Sequence, residues 1–156
     1  MIRGYFQNQQ ANADAFKDGW LHTGDIAYCA ASSKKWYIVD RKKELIKVRG
    51  FQVAPLELES VLLSHPRIVD AAVIGVYSNG VYGEEVPRAY VVERSGVPGP
   101  KLTAAEVKSY VGSRLAKYKS LDGGIVFLNA IPKNTTGKVV KKLLREQAEK
   151  EMSSKL

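Results

Sequence analysis

Asp40-Arg41-Lys42-Lys43-Glu44-Leu45-Ile46-Lys47-Val48-Arg49-Gly50-Phe51-Gln52-Val53-Ala54-Pro55 is the stretch on which the reading of this chain turns. It joins a basic, glycine-containing segment to the start of a helix. Leu45-Ile46-Lys47-Val48 has the composition of a strand, and so does Trp36-Tyr37-Ile38-Val39 before it. Arg41-Lys42-Lys43-Glu44 between them is a short polar connection, which predicts a hairpin of these two strands. Gly50 lacks a Cβ, so backbone there can approach a ligand closely. Pro55 suits a first helical position, and Glu57 and Glu59 suit the positive end of a helix over 55–64 that Pro66 closes. By itself the stretch reads equally well as a solvated basic hairpin.

Working outward, residues 71–77 and 86–93 are short apolar runs that read as buried strands, joined by a turn at Ser78-Asn79-Gly80. Ser95-Gly96-Val97-Pro98-Gly99-Pro100 is a loop. A helix over 104–118 carries a capping box in Thr103 and Glu106 and a hydrophobic staple in Leu102 and Val107. Gly123-Gly124 breaks the chain before a third core strand at 125–128. An amphipathic helix over 139–151 follows, with Val140, Leu143, Leu144, Gln147 and Ala148 on one side. The residues up to Asp25 are polar and show no sustained period. The fold class predicted is α+β, with a small mixed three-stranded sheet, packed helices and an N-terminal β-hairpin.

The chain has 156 residues, enough to bury roughly 68–70% of its unfolded surface. A hydrophobic fraction of 45% with 26% charged residues excludes disorder over the whole length. No apolar run reaches the roughly 18 residues of a membrane span, and the N-terminus has no apolar signal core. The lone Cys29 is read as a small apolar filler. His22 and His65 lie far apart, and His65, before Pro66, is read as a capping group. The 24 basic and 16 acidic residues leave a net charge of +8, concentrated in 34–49 and 138–156. Such clusters suit a polyanionic partner, either nucleic acid or a phosphate-bearing cofactor.

Two further segments carry chemistry. Gly19-Trp20-Leu21-His22-Thr23-Gly24-Asp25 sets a carboxylate beside a flexible turn, where it can accept hydrogen bonds from ribose hydroxyls. Ile131-Pro132-Lys133-Asn134-Thr135-Thr136-Gly137-Lys138 puts an ammonium on a long stem at the end of a glycine loop, which suits holding negative oxygens. It is not a Walker loop: Pro132 stands where the first glycine belongs, and Val139 replaces the hydroxyl residue.

In this order and spacing the three segments resemble the adenylate-forming superfamily, from about Gly4 to about Leu144. Phe51-Gln52-Val53-Ala54-Pro55-Leu56-Glu57-Leu58-Glu59 and Gly83-Glu84-Glu85-Val86-Pro87 are most similar to the coumarate–CoA ligase, acyl-CoA synthetase and luciferase branch. The resemblance implies a division into residues 1–39, the end of a large N-terminal AMP-binding domain that is mostly missing, residues 40–152, a C-terminal domain, and a tail over 153–156. Met1 is then expected to be a gene-model start.

Site residues follow from the same resemblance. Asp25 and Arg41 are expected to contact the ATP ribose, and Asp40 to be the hinge about which the small domain rotates. Lys138 is expected to bridge the carboxylate substrate and the α-phosphate during adenylation. Lys47 and Gln52 are expected to enter the site for the second half-reaction, with Gly50 in the turn beside the pantetheine tunnel. ATP, Mg2+ and CoA are the implied cofactors, with a carboxylic acid as substrate and no nucleic acid as partner. Thr135-Thr136 and Val139-Val140-Lys141 depart from the commoner family residues without touching these roles. Ser154-Lys155-Leu156 has the form of a peroxisomal address read by the import receptor, so the peroxisome is the expected location.

The function expected is that of the C-terminal domain of an ATP-dependent carboxylate–CoA ligase, with the 156-residue chain inactive on its own. The alternatives are a stand-alone basic module binding nucleotide or another polyanion, luciferase-like oxidation on the same fold, and a non-catalytic scaffold.

Overall fold

A computed structural model of the protein describes residues 3–78 and 84–153. Asn79-Gly80 of the expected turn, Gly83 of the branch motif, and Ser154, Lys155 and Leu156 lie outside the described residues. The chain divides into two compact units, Met1–Lys43 and Glu44–Leu156. Among the described residues no helix is long and apolar enough to cross a membrane.

The first unit contains helix α1 (Gln9–Ala15), strands β1 (Phe16–Lys17) and β2 (Trp20–Leu21), and an antiparallel ribbon of β3 (Asp25–Cys29) with β4 (Trp36–Arg41). Asn8 caps α1, its side-chain oxygen accepting from the Ala11 N–H at 2.9 Å. Seven residues make too few turns to print a helical period, which is why the sequence showed none here. The 36–39 strand therefore pairs with β3, not with the 45–48 strand as expected. Turn chemistry explains the difference. Arg41-Lys42-Lys43-Glu44 offers no residue suited to positive φ. Lys42–Glu44 instead wind into a 3₁₀ turn, with the Lys42 N–H donating to the Gly24 carbonyl at 2.8 Å. Cys29 sits exposed on β3, not in a core, because a two-stranded ribbon has little interior to offer.

The second unit is the α+β body. Strand β5 (Ile46–Val48) forms a hairpin with β6 (Phe51–Val53) and leads into helix α2 (Pro55–Leu63). Strands β7 (Ile68–Tyr77), β8 (Glu85–Glu93) and β9 (Ile125–Phe127) make one sheet in that order. The β7–β8 pair is antiparallel and the β8–β9 pair parallel, so the three-stranded sheet is mixed, as the sequence predicted. Helices α3 (Ala104–Gly112) and α4 (Lys141–Ser153) complete the unit.

Both faces of the sheet are covered. Ala71, Val73, Ala89 and Val91 face a core completed by Leu58, Leu62, Val107, Val111 and the hairpin residues Ile46, Val48 and Val53. Ala72, Ile74 and Tyr90 face the opposite side, against Ile131, Leu144 and Ala148. Double coverage is why residues 71–74 read as an unbroken apolar run with no polar alternation. The capping box is present: the Glu106 N–H donates to Thr103 Oγ1, and the Thr103 N–H to Glu106 Oε2. The Thr103 hydroxyl also donates to Glu106 Oε2 at 2.7 Å, and this bond, followed by the one from the Thr103 N–H, holds the Glu106 carboxyl below its ordinary pKa. Helix α3 ends at Gly112, short of the expected 118. Gly112 and Ser113 favour a stop there, and the Ser113 hydroxyl donates to the Tyr110 carbonyl that a further turn would need. Lys117–Lys119 then form a separate 3₁₀ turn.

Candidate functional site

Asp25 opens β3 and Arg41 closes β4, and the register sets them directly opposite each other. Arg41 Nε lies 3.6 Å from Asp25 Oδ1, with the Arg41 side chain largely exposed. Thr23 Oγ1 accepts from the Asp25 N–H at 3.2 Å and steadies the turn that presents the carboxylate. The next residue toward the strand's start, Asp40, accepts at Oδ1 from the Arg41 N–H at 2.7 Å. It lies just before the division between the two units.

Lys47 and Gln52 share a hairpin. Arg49 and Gly50 have φ of 47° and 82°. Positive φ at both central positions is the type I′ turn, whose twist matches that of its strands. Glycine takes one of these positions without steric cost. The register pairs Ile46 with Val53, Lys47 with Gln52, and Val48 with Phe51. Alternation then buries Ile46, Val48 and Val53 and places Lys47 and Gln52 as cross-strand neighbours on the exposed face. Phe51, beside the turn, stacks on Tyr118 with ring centroids 4.4 Å apart. Lys119 next to it reaches Glu57 at 2.6 Å. Burial works against the Lys119 charge, but the Glu57 hydrogen bonds outweigh it and raise the pKa.

Lys138 stands in a tight turn between β9 and α4. The turn is knitted by Asn134, whose Oδ1 accepts from the Thr136 N–H at 3.1 Å, the Thr136 hydroxyl at 2.8 Å and the Lys138 N–H at 2.9 Å. The Asn134 N–H donates to the Lys138 carbonyl at 2.9 Å, and Lys133 bridges to Val139. Both flanks are anchored. Lys133 Nζ is 2.6 Å from Asp70 Oδ2, and Lys141 Nζ is 2.9 Å from Glu59 Oε1. Neither the Lys138 nor the Lys47 ammonium has an ion-pair partner among the described residues. A lysine held by its backbone with a free head is ready to meet an anion from outside.

The family described as AMP-binding enzyme C-terminal domain matches residues 57–138. The chain belongs to this family. Among curated relatives, phenylacetyl-CoA ligase epaB of Aspergillus niger is 52% identical over 153 residues, covering 97% of this chain and 28% of its own. Probable 4-coumarate–CoA ligase 1 of Dictyostelium discoideum is 46% identical over 147 residues, covering 94% of this chain and 26% of its own. O-succinylbenzoate coenzyme A synthetase (MenE) of Bacillus subtilis, in complex with its acyl-adenylate intermediate, superposes with a TM-score of 0.81 at 34% identity. That match covers 93% of this chain and 28% of MenE. The same enzyme with ATP and magnesium ion gives a TM-score of 0.78 at 35% identity, over 96% and 28% of the two chains. The AMP-binding C-terminal domain chain described here spans about a quarter of the length of the curated relatives it matches.

The domain's geometry brings together two of the expected pairs, Asp25 with Arg41 and Lys47 with Gln52, and sets Lys138 on an element of its own. Sequence reasoning assigned no role to Asn134 or Glu85, which fix the backbones of Lys138 and Lys47. The Asn-Thr-Thr-Gly run carried a signal, since Asn side chains commonly bind backbone two residues on. The Glu85 contact spans 38 residues and had no local signal.

Proposed function

We propose that this domain is the small, moving part of an ATP-dependent carboxylate–CoA ligase, with Lys138 serving adenylation and Lys47 with Gln52 serving the thioester step. The observation that carries this reading is that one compact unit bears two exposed lysines on two separately braced elements. Residues 1–39 are the end of the large domain, which is the partner of residues 40–152, and Asp40 is the hinge between them.

The chemistry needs both lysines. In the first step a carboxylate oxygen of the acid bonds to the α-phosphorus of ATP, and the bond to pyrophosphate breaks. Two anions must meet, and the Lys138 ammonium lowers that cost by standing close to both. In the second step the CoA sulfur bonds to the acyl carbon, and the bond to AMP breaks. A lysine serving the first step would obstruct that approach, so exchange of one face for another lets a single domain serve both.

The residues present fit the nucleotide. The Asp25 carboxylate can accept from ribose hydroxyls while Arg41 sits across the ribbon as a donor. Among the described residues no cluster of three or more His, Cys, Asp or Glu could hold a metal ion. Mg2+ would enter on the ATP phosphates and neutralise their charge. Ser154-Lys155-Leu156, where it stands at the carboxyl end, directs the protein to the peroxisome through its import receptor. A fluorescent fusion carrying this tripeptide should be peroxisomal, and its Leu156→Asp variant cytosolic; identical distributions would refute the address.

The decisive experiment uses the full-length protein and separates the half-reactions, with the acid chosen from phenylacetate, 4-coumarate and octanoate by pyrophosphate exchange. Lys138→Ala should slow adenylation roughly 100-fold and spare thioester formation from preformed adenylate. Lys47→Ala should show the reverse. Equal losses in both steps, or no exchange with any acid, would sink the assignment.

A further inference from the structure

Glu85 opens β8, and its Oε2 accepts a hydrogen bond from the backbone N–H of Lys47 at 2.9 Å. The amide of Lys47 is thus bound to a carboxylate from another strand, outside the β5–β6 ladder. A charged acceptor on a backbone amide makes a stronger bond than a neutral one. The path between them crosses Gly75 on β7. A Cβ built there would lie 3.2 Å from Glu85 Cδ, 3.2 Å from Glu85 Oε2 and 3.2 Å from Ile46 Cγ2. Gly75 is therefore the bare patch of sheet over which the Glu85 side chain reaches the hairpin. Ile46 is fully buried beside it, so the strand has no room to retreat. A second carboxylate braces the approach to β5, since Glu44 pairs with Arg145 on α4.

We infer that Glu85 is a positioning residue: through the Lys47 amide it fixes the height and direction from which the Lys47 side chain leaves β5, and Gly75 is the space that permits it. This inference rests on the role proposed above for Lys47. It adds that the second half-reaction depends on two residues that never touch CoA or the acyl group.

The test uses the full-length protein with Glu85→Ala, Glu85→Gln, Gly75→Ala and, in parallel, Lys47→Ala. Hydrogen–deuterium exchange over residues 45–53 reads the positioning without any catalysis. Thioester formation from preformed adenylate reads its consequence. Glu85→Ala should speed exchange in this segment and slow the thioester step about 10- to 100-fold, as a displacement near 1 Å does, with adenylation within twofold of wild type. Glu85→Gln keeps an oxygen acceptor and should recover most of both losses. Gly75→Ala should resemble Glu85→Ala although it removes no polar group. Unchanged exchange in Glu85→Ala, or a Gln variant no better than Ala, overturns the inference and leaves the Lys47 role standing. A normal thioester step in Lys47→Ala overturns both.

Discussion

Asn134 offers the sharpest link between local structure and the adenylation role proposed for Lys138. Its Oδ1 gathers three donors, the Thr136 amide, the Thr136 hydroxyl and the Lys138 amide, at 2.8–3.1 Å. Asn134→Ala removes all three at once. The turn is exposed, so water replaces much of each bond, and the low end of the net range applies, about 0.5 kcal/mol per bond. Three such bonds hold the turn by about 1.5 kcal/mol, which converts to roughly a tenfold drop in the rate of a step that needs Lys138 in place. Asn134→Asp retains an oxygen acceptor in the same position and should stay within about threefold of wild type. Pyrophosphate exchange by the full-length protein measures this step, and thioester formation from preformed adenylate is the control. The reasoning fails if Asn134→Ala exchanges pyrophosphate at the wild-type rate, or if the control falls equally.

Two further outcomes probe the scaffold. A Cβ at Gly123 would meet Val76 Cγ2 at 2.7 Å, the Pro87 carbonyl oxygen at 2.9 Å and Arg88 Cβ at 3.0 Å, so Gly123→Ala should destabilise this domain by about 1–3 kcal/mol. Calorimetry of the full-length protein should show the affected transition several degrees lower, and an unshifted one would show that the sheet can yield there. His65 packs edge-on against Tyr110, and its pKa lies below the ordinary 6.5 through burial first and then the nearby Arg67 and Arg114, with Glu106 opposing. The unfolded chain therefore binds this proton more readily, so the contribution is fully present above pH 6.5 and is lost as pH falls toward the folded value. NMR of histidine-labelled protein, assigned with His65→Gln, should give a titration midpoint under 6.5, and a midpoint above it would contradict the packing described.

The parts legible in the sequence were those with local causes. Thr103 and Glu106 announced the start of α3 because a capping box needs only four residues. Pro55 and Pro66 bracketed α2 because proline acts on its own neighbours. The sheet strands showed as apolar runs because both faces are covered. Pairing was harder. The 36–39 strand had a polar connection on either side; Arg41-Lys42-Lys43-Glu44 lacked a glycine, while the two-residue hairpins closed at Asp18-Gly19 and Arg49-Gly50, each with positive φ at both positions. The filler role expected of Cys29 failed because burial is a property of the layer packed on a strand, which its own residues do not specify. At the site, lysine and glycine in the 131–138 loop were visible, while the convergence of three donors on Asn134 and the reach of Glu85 across Gly75 belong to the third dimension.

The bracing of the two lysines bears on the proposal that one domain serves two reactions. A body that presents first one face and then another keeps both faces accurate only if its interior does not rearrange. Lys138 is tied to this body on both sides of its turn. Lys133 is paired with Asp70 on β7, and Lys141 with Glu59 on α2. Glu59 Oε1 also accepts from the Val73 N–H at 2.9 Å, so one carboxylate joins α2, β7 and the start of α4. The Lys141–Glu59 pair is the less exposed of the two, at 18% and 15% side-chain exposure against 40% and 26%, and is screened less by salt. Lys47 is tied by a different route to β8, the strand paired with β7, through the Glu85 side chain lying over Gly75. Both backbones thus refer to the β7–β8 pair, in which residues 71–74 of β7 are buried on both faces and are the least able to shift. Exposed pairs such as Lys133–Asp70 contribute little to stability, so their consequence lies in aim: loosening either brace should disturb one half-reaction and leave the other intact.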